Sequence, residues 1–222
     1  MRVEIWSDVV CPWCYIGKRR FENALARVGS RRDVSGVEIV FRPYQLDPTA
    51  HQGRSRPVME AYAKKFGGPE RAEEILRHVT SVAAGDGIDF HMDRALRANT
   101  LLAHRLLWFA EQRSADLQIA LKERLLRAYF SDGLNIGDPS VLADCAAEFS
   151  LDRDEVVTFL AGDDGRGEVM EQLAFAASNG ITAVPTYVFN EQWAVPGAQE
   201  IDLFERVLDK LLDNEEAAAE HV

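Results

Sequence analysis

Apolar residues near the start of the chain change from the spacing of a strand to the spacing of a helix. The range Val3–Trp6 combines β-branched and aromatic side chains, which favours a short strand. Over residues 14–29, apolar side chains recur three and four positions apart, which predicts a helix with one apolar stripe. The stripe consists of Phe21, Ala24, Leu25 and Val28. Pro12 suits the first helical turn, where a missing N–H costs nothing, so the helix follows closely on the strand.

A second strand is predicted after this helix. Residues 37–46 alternate well enough between apolar and polar side chains to form one. Two strands joined by a single helix make a βαβ unit, whose strands are parallel and whose crossover is right-handed. Residues 47–57 are polar and contain turn-forming types, so this stretch is predicted to be a loop and a domain boundary.

Helical spacing replaces strand spacing through the middle of the chain, where no strand is predicted. Helices are predicted over residues 59–66, 69–84, 93–112, 115–130, 139–149, 151–160 and 169–178. The helix over residues 93–112 has little polar surface, so we expect it to lie buried between layers. Its broad apolar surface would also permit a homodimer.

Strand chemistry returns near the end of the chain. Gly180 ends the last of the middle helices, and residues 181–190 are predicted to form a third strand. A turn then leads to a short hairpin partner at residues 193–195. Residues 201–212 predict a final amphipathic helix, and the acidic residues 214–222 are expected to fray.

These elements form a β-α-β half at the front of the chain and a β-β-α half at the back. The predicted fold class is therefore α/β, with both halves contributing to one small sheet. Residues 1–50 and 173–222 are predicted to form the sheet domain, and residues 51–172 an all-helical insertion domain.

Composition narrows the range of functions. Among 222 residues there are 25 basic and 36 acidic side chains, a net charge of −11, which argues against a nucleic-acid or anionic-membrane surface. No apolar run is long enough to cross a bilayer, and the first residues show no secretory pattern. We therefore expect a cytoplasmic protein. Its three cysteines, Cys11, Cys14 and Cys145, are too few for a disulfide framework.

Two of the cysteines lie in the tetrapeptide Cys11-Pro12-Trp13-Cys14, at the entrance of the first helix. Unpaired backbone N–H groups and the helix dipole favour a thiolate there, so the pKa of Cys11 should fall into the range of about 3.5–7.5 seen at such positions. Cys14 lies one turn deeper on the same face. We therefore expect an exposed Cys11 sulfur that attacks and a Cys14 sulfur that resolves.

A Cys-x-x-Cys pair can also be half of a metal site. Two further ligands would have to come from Cys145 and five scattered histidines, none of which is spaced as a second pair. The redox interpretation is therefore preferred, with no metal and no bound cofactor.

Several segments together carry a family resemblance. The segments SDVVCPWCYIGKRRFE, NTLLAHRLLWFA and IGDPSVLADCAAEF, with Val184-Pro185-Thr186 near the third strand, resemble the DsbA branch of the thioredoxin superfamily and, within it, the cytoplasmic FrnE-like group. The resemblance implies a thioredoxin-like fold and a protein-disulfide oxidoreductase working through a mixed disulfide. Its substrates would be protein or small-molecule thiols and disulfides, and glutathione or another low-molecular-weight thiol could serve as reductant.

The same resemblance implies roles for individual residues. Cys11, Cys14 and Pro185 would be catalytic, with a cis bond before Pro185 that sets the backbone of Val184 beside Cys11, where an extended substrate could pair with it. The residues implied to contact substrate are Pro12, Trp13, Val184, Thr186, Asn99 and His104. Alternatives remain for some of these: an ordinary trans proline at a strand edge, simple packing for Trp13, and core polar side chains for Asn99 and His104.

Three more residues have open roles. The family's buried acid, which can relay the proton of the resolving thiol, would be Glu4 or Asp8, although a solvated or capping carboxylate explains either one. Cys145 is interpreted as a small buried apolar residue. The alternative function is a glutathione-dependent isomerase or transferase of the kappa or 2-hydroxychromene-2-carboxylate isomerase type. Those proteins usually carry serine where Cys11 stands.

Overall fold

The computed structural model describes residues 1–219, which form a four-stranded mixed sheet with helices on both faces and a further two-stranded pairing. The strands are β1 (Arg2–Ser7), β2 (Glu38–Pro43), β3 (Arg56–Pro57), β4 (Leu96–Arg97), β5 (Thr186–Phe189) and β6 (Trp193–Pro196). The helices are α1 (Pro12–Gly29), α2 (Val58–Phe66), α3 (Pro69–Gly85), α4 (Leu101–Glu111), α5 (Ala115–Phe130), α6 (Pro139–Ala147), α7 (Arg153–Ala161), α8 (Arg166–Ser178) and α9 (Ile201–Ala219). None of the helices described is long and apolar enough to cross a membrane.

The first strand lies inside the sheet, whose order is β2-β1-β5-β6. It pairs in parallel with β2 and antiparallel with β5, so that Ile5 lies opposite Phe41 on one side and Tyr187 on the other. The hairpin β5–β6 completes the sheet. The predicted β-α-β and β-β-α halves are therefore confirmed.

The described residues form two apolar cores. Val3 and Ile5 face a core built from the sheet, α1 and α9, which also contains Phe204. A larger core joins the middle helices to the start of α1, where Tyr15 and Ile16 contribute to it. The helical part of the chain thus packs directly on the first turns of α1. The domain boundaries at residues 51 and 173 stay a prediction.

The helix predicted over residues 93–112 begins only at Leu101, so its first third was wrongly predicted. The residues before Leu101 instead form hydrogen bonds with another loop. The short strand β4 pairs antiparallel with β3, and the Asn99 side chain donates to the Ala50 carbonyl at 2.8 Å. The same side chain accepts the Leu101 N–H at 3.0 Å. Hydrogen bonds to these sequence-distant partners take the place of the first turns of the predicted helix. The prediction that the middle of the chain contains no strand was also wrong, because β3 and β4 lie there.

Both longer predicted strands are shorter in the structure. The second strand ends at Pro43, and the N–H of Leu46 instead donates to Asp8 Oδ2 at 2.8 Å. The third strand begins only at Thr186, because residues 181–185 form the loop that reaches the cysteines.

The end of the chain is more ordered than predicted. Helix α9 continues to Ala219 instead of fraying after residue 213. Arg32 forms ion pairs with Asp213 at 2.8 Å and Glu216 at 2.7 Å, and the N-terminal amine lies 3.3 Å from Glu215. These pairs tie the last turns to the body of the protein. The remainder of the predicted fraying segment, residues 220–222, lies outside the described residues.

Candidate active site

Cys11 is the residue immediately before α1, as predicted from the sequence. Its backbone is extended (φ −88°, ψ 115°), and its carbonyl accepts the N–H of Cys14 at 3.0 Å. Pro12 occupies the first turn, where the absent N–H loses no helical bond. The local sequence therefore starts the helix at the point that places both sulfurs at its N-terminal end.

The two sulfurs lie together and are both enclosed. Cys11 and Cys14 are free thiols, and only 4% and 2% of their surfaces are exposed. The Cys11 Sγ donates to the Val184 carbonyl oxygen at 3.7 Å. The expectation of an exposed Cys11 sulfur was wrong, since the loop before β5 lies against it.

The protonation order of the pair also differs from the prediction. The hydrogen bond with Cys14, together with burial, raises the pKa of Cys11 well above its ordinary value. Burial acts to raise the pKa of Cys14 as well, but the hydrogen bond from Cys11 and the positive charge of Lys122 outweigh it and lower that pKa. These directions favour placing the first negative charge of the reduced pair on Cys14. The expected low pKa of Cys11 was wrong for this resting state.

Lys122 brings a buried positive charge from α5 to the pair. Its side chain is 1% exposed, and its Nζ has no hydrogen-bond partner among residues 1–219. The Nζ lies 5.4 Å from the ring centre of Phe41, which offers a weak cation–π contact. Burial lowers the pKa of Lys122 to about 8, although the nearby charge of Cys14 opposes this shift. A cation left this poorly solvated gains most from an anion, and Cys14 supplies one.

Asp8 lies between β1 and α1 and is fully buried. Its Oδ1 accepts the Val9 N–H at 2.8 Å and lies 3.1 Å from His104 Nε2, while Oδ2 accepts the Leu46 N–H. The same Nε2 lies 2.9 Å from the Tyr44 carbonyl oxygen. Asp8 therefore joins three segments directly beneath the cysteines.

Glu4, the other candidate for a buried acid, lies on the opposite face of the sheet from the α1–α9 core. Its carboxylate forms an ion pair with Arg42 at 2.8 Å and lines a surface groove with Trp6 and Phe175. Of the two carboxylates, only Asp8 is an electrostatic neighbour of Cys11.

The loop before β5 approaches α1 closely. The Val184–Pro185 peptide bond is cis, and the Pro185 carbonyl accepts the Gly197 N–H at 2.7 Å. Thr186 Oγ1 donates to the Ala183 carbonyl at 2.8 Å. A Cβ on Gly17 would stand 2.7 Å from Tyr187 Oη and 3.0 Å from Pro185 Cγ, so only glycine allows this approach.

The remaining predicted site residues divide into enclosed and open ones. Asn99 is 9% and His104 3% exposed, and both bond to protein partners, so the alternative of core polar side chains describes them. Trp13 is 38% exposed and packs near the His78 ring of α3. Cys145 is buried in α6, and burial raises its pKa.

Sequence reasoning missed Lys122, Gly17 and Tyr187. The burial of Lys122 could have been predicted, because it lies four residues after Gln118 and four before Leu126, on the buried face of α5. A glycine inside the predicted first helix was a signal for the second. The partners of these residues come from distant segments, which the local pattern does not identify.

The metal alternative gains no support from the structure. No group of three or more His, Cys, Asp or Glu side chains that could hold a metal ion occurs among residues 1–219. A dithiol at a helix N-terminus, facing a proline loop on a four-stranded mixed sheet, is instead the arrangement of thioredoxin-fold redox proteins.

Comparison with known sequences identifies the family. The DSBA-like thioredoxin domain matches residues 2–209, and the chain belongs to this family. A probable DsbA oxidoreductase from Streptomyces coelicolor is 35% identical with a TM-score of 0.86, over 95% of this chain and 89% of that one. The uncharacterized protein YwbO of Bacillus subtilis is 26% identical over 94% of this chain and 96% of its own length.

A more distant structure shows likeness of fold alone. The cytosolic disulfide reductase DsbM from Pseudomonas aeruginosa is 17% identical with a TM-score of 0.67, over 96% of this chain and 99% of that one. A structure of DsbM with GSH has a TM-score of 0.65 to this chain.

Proposed function

We propose that this protein is a thiol–disulfide oxidoreductase that exchanges disulfides through Cys11 and Cys14. One observation carries the proposal: the two free thiols of Cys11 and Cys14 lie together at the N-terminus of α1, with Cys11 Sγ 3.7 Å from the Val184 carbonyl oxygen. Family membership over residues 2–209 supports the same class of activity.

The reaction uses the one proton that the two sulfurs share. Transfer of this proton from Cys11 to the neighbouring Cys14 makes Cys11 the thiolate without changing the net charge. Cys11 attacks a substrate disulfide, forms the mixed disulfide and releases one substrate thiolate. Cys14 then attacks the Cys11 sulfur, which closes the Cys11–Cys14 disulfide and releases the second. Before this second attack Cys14 passes its proton to a substrate sulfur, so the singly ionised pair loses two electrons and one proton, and the products are one substrate thiol and one substrate thiolate. The reverse sequence oxidises a substrate dithiol.

Cys11 is the attacking sulfur in this proposal because it lies beside the substrate-side loop. Val184 and Thr186 flank Pro185, and an extended substrate would pair with the backbone there. The half-exposed Trp13 would add an apolar contact next to the reacting sulfur. Pro12, the first residue of α1, fixes the start of the helix directly after Cys11.

We further propose a FrnE-like role in the cytoplasm, on protein or small-molecule thiols and disulfides. The acidic net charge of −11 supports action away from nucleic acids and anionic membranes. No cofactor is needed beyond the redox-active pair, and a low-molecular-weight thiol such as glutathione would reduce it. The structure of DsbM with GSH supports this choice of reductant by analogy of fold.

The glutathione-dependent isomerase alternative is weaker because it leaves Cys14 unexplained. An isomerase that only activates a bound thiol does not need a second sulfur beside the first. The position of Cys14 next to Cys11, and the positive charge of Lys122 that lowers the pKa of Cys14, support the dithiol reaction instead.

Reduction of insulin disulfides by dithiothreitol tests the proposal. The native protein should accelerate insulin precipitation, and Cys11→Ser should abolish this acceleration. Cys145→Ser is the matched control, since Cys145 is a buried cysteine on α6 outside the proposed site, and its activity should equal that of the native protein. Activity retained by Cys11→Ser would refute the assignment. Equilibration with glutathione then measures the reduction potential, which sets the direction of exchange.

A further inference from the structure

A cavity of about 480 Å³ opens next to Val10, between α2 and the loops that follow β2 and precede α4. Val10, Leu46, Tyr62 and Phe66 provide apolar walls, and Val10 directly precedes Cys11. The volume falls within the range of about 300–1,000 Å³ that is typical of small-molecule sites. The cavity is therefore large enough for a compound of low molecular weight.

The tyrosines of this cavity lie within electrostatic reach of the reacting sulfur. Burial raises the pKa of Tyr62 to about 12, and a negative charge on Cys11 adds to this rise. Tyr129, which also lines the cavity, is likewise an electrostatic neighbour of Cys11. Because Val10 lines the cavity and directly precedes Cys11, the cavity lies next to the segment that carries the reacting sulfur.

The cavity carries positive charge in a strongly acidic protein. Four cationic residues line it against two carboxylates, Asp47 and Glu60, whereas the whole chain has a net charge of −11. Arg97 is neutralised by an ion pair with Asp47. The other three cations are Arg56, Lys64 and Lys65.

These three cations are exposed and available. None of them forms an ion pair with a carboxylate among residues 1–219, and Lys65 contacts only the ring of Phe66, at 5.5 Å. Elsewhere, arginines such as Arg31, Arg32 and Arg42 are paired with acids. Unpaired cations around an apolar cavity favour a ligand with both an apolar body and carboxylates.

We propose that this cavity binds the non-reacting part of a low-molecular-weight disulfide that bears carboxylates, and so selects anionic small disulfides as substrates. This inference rests on the proposed function. Cys11 attacks the nearer sulfur of the bound disulfide and releases one carboxylate-bearing thiolate. Cys14 passes its proton to a released sulfur and displaces the second, so the two electrons and one proton of the singly ionised pair appear in one small thiol and one small thiolate.

Three small disulfides of similar length but different charge test the inference. Dithiodipropionate carries two carboxylates, 2-hydroxyethyl disulfide is uncharged, and cystamine carries two ammonium groups. The prereduced protein is mixed with an excess of each, and acid quenching with alkylation gives the second-order rate constant for loss of the dithiol. The expected order of rates, relative to each compound's reaction with free dithiothreitol, is dicarboxylate above neutral above diammonium, and the differences should shrink with added salt.

A charge-reversed variant locates the effect. Lys64→Glu with Lys65→Glu should slow oxidation by the dicarboxylate about fivefold or more, accelerate that by cystamine, and leave the neutral compound unchanged. Arg206→Glu with Lys210→Glu makes the same change in net charge on exposed positions of α9, and should have little effect.

The outcomes separate the inference from the proposed function. Equal normalised rates for the three compounds, or a loss in Lys64→Glu/Lys65→Glu that is the same for all three, would overturn the inference while leaving the oxidoreductase intact. An equal effect of the α9 variant would also overturn it, because long-range charge and not the cavity would then be responsible. If none of the three disulfides oxidised the native dithiol, the proposed oxidoreductase function itself would be refuted.

Discussion

The Nε2 atom of His104 lies 3.1 Å from Oδ1 of Asp8, and both side chains are almost completely buried. Nε2 also lies 2.9 Å from the Tyr44 carbonyl oxygen. Because both partners are acceptors, Nε2 carries its hydrogen. Through this contact α4 holds the β1–α1 connection against the segment that follows β2. The segment that carries the cysteines is therefore held in place by buried polar contacts as well as by apolar packing.

Asp8→Asn should destabilise the protein although it hardly changes the shape of the side chain. The two carboxylate oxygens face N–H donors, and an amide would turn its own NH2 toward one of them. An unsatisfied buried donor costs about 1–3 kcal/mol, which should appear in the free energy of unfolding by urea. Asp93→Asn, at an exposed position, is the control. Equal stabilities of the two variants would show that the hydrogen bonds to Asp8 contribute little.

Lys122→Met should stabilise the reduced protein and make that gain depend on pH. The pKa of Lys122 is about 8 in the folded protein, against an ordinary value of 10.5, so the unfolded chain holds its proton more tightly. The cost of burying the charge is therefore complete below pH 8 and vanishes above pH 10.5. Relative to the native protein, the variant should gain roughly 3 kcal/mol at pH 7, which corresponds to the difference between a pKa of 10.5 and one of about 8, and lose this advantage by pH 10.5.

Lys122→Met should also change the pKa of Cys14 and the reduction potential of the Cys11–Cys14 pair. Loss of the Lys122 charge raises the pKa of Cys14, and this disfavours the reduced form, which holds the thiolate. The reduction potential should therefore become more negative, by about 30 mV for each 1.4 kcal/mol of lost stabilisation. Absorbance of the thiolate near 240 nm and equilibration with glutathione measure the two effects. Lys210→Met, on the exposed face of α9, should change neither.

The parts of the fold that could be predicted from the sequence are those whose interaction partners lie nearby along the chain. The start of α1 at Pro12, the βαβ unit and the paired cysteines all follow from residues close together in the chain. The start of α4 did not, because Asn99 and the residues before it bond to loops about fifty positions away. Local periodicity cannot distinguish an apolar segment that continues a helix from one that packs as a loop.

The chemistry of the site shows the same division. A helix N-terminus predicts a lowered pKa for the thiol that it holds, and the lowered pKa belongs to Cys14 instead of Cys11. The balance between the two sulfurs is set by Lys122 on α5, more than a hundred residues further on, and by the enclosure of Cys11 under Val184. Neither contact leaves a signal in the tetrapeptide itself.

Cys14→Ser should lower the pKa of Cys11 relative to the second ionisation of the intact pair. The hydrogen bond and the charge of Cys14 are among the causes that raise the pKa of Cys11, and a serine removes the charge. The helix N-terminus then acts on Cys11 without competition. Thiolate absorbance against pH should show one transition for Cys11 in the variant. A transition as high as the second step of the native protein would mean that burial, not Cys14, controls Cys11.

Gly17→Ala should weaken the redox activity by pushing the loop of Pro185 away from α1. The new Cβ would meet Tyr187 Oη at 2.7 Å and Pro185 Cγ at 3.0 Å, both in a buried position. Overpacking of this kind costs about 1–3 kcal/mol, and any displacement of the loop also separates Val184 from Cys11. Insulin reduction should therefore fall by about tenfold, with a lower free energy of unfolding.

A second substitution distinguishes this clash from a general loss of stability. Tyr187→Phe removes the hydroxyl that has no hydrogen-bond partner among residues 1–219, so adding it to Gly17→Ala should restore part of both activity and stability. Gly167→Ala in α8 is the matched control, because nothing lies within 4 Å of its added Cβ, and alanine there should stabilise the helix by about 0.5–1 kcal/mol. If Gly17→Ala behaved like Gly167→Ala, the approach of the proline loop to α1 would not need a glycine, and the geometry proposed for Val184 and Cys11 would lose its support.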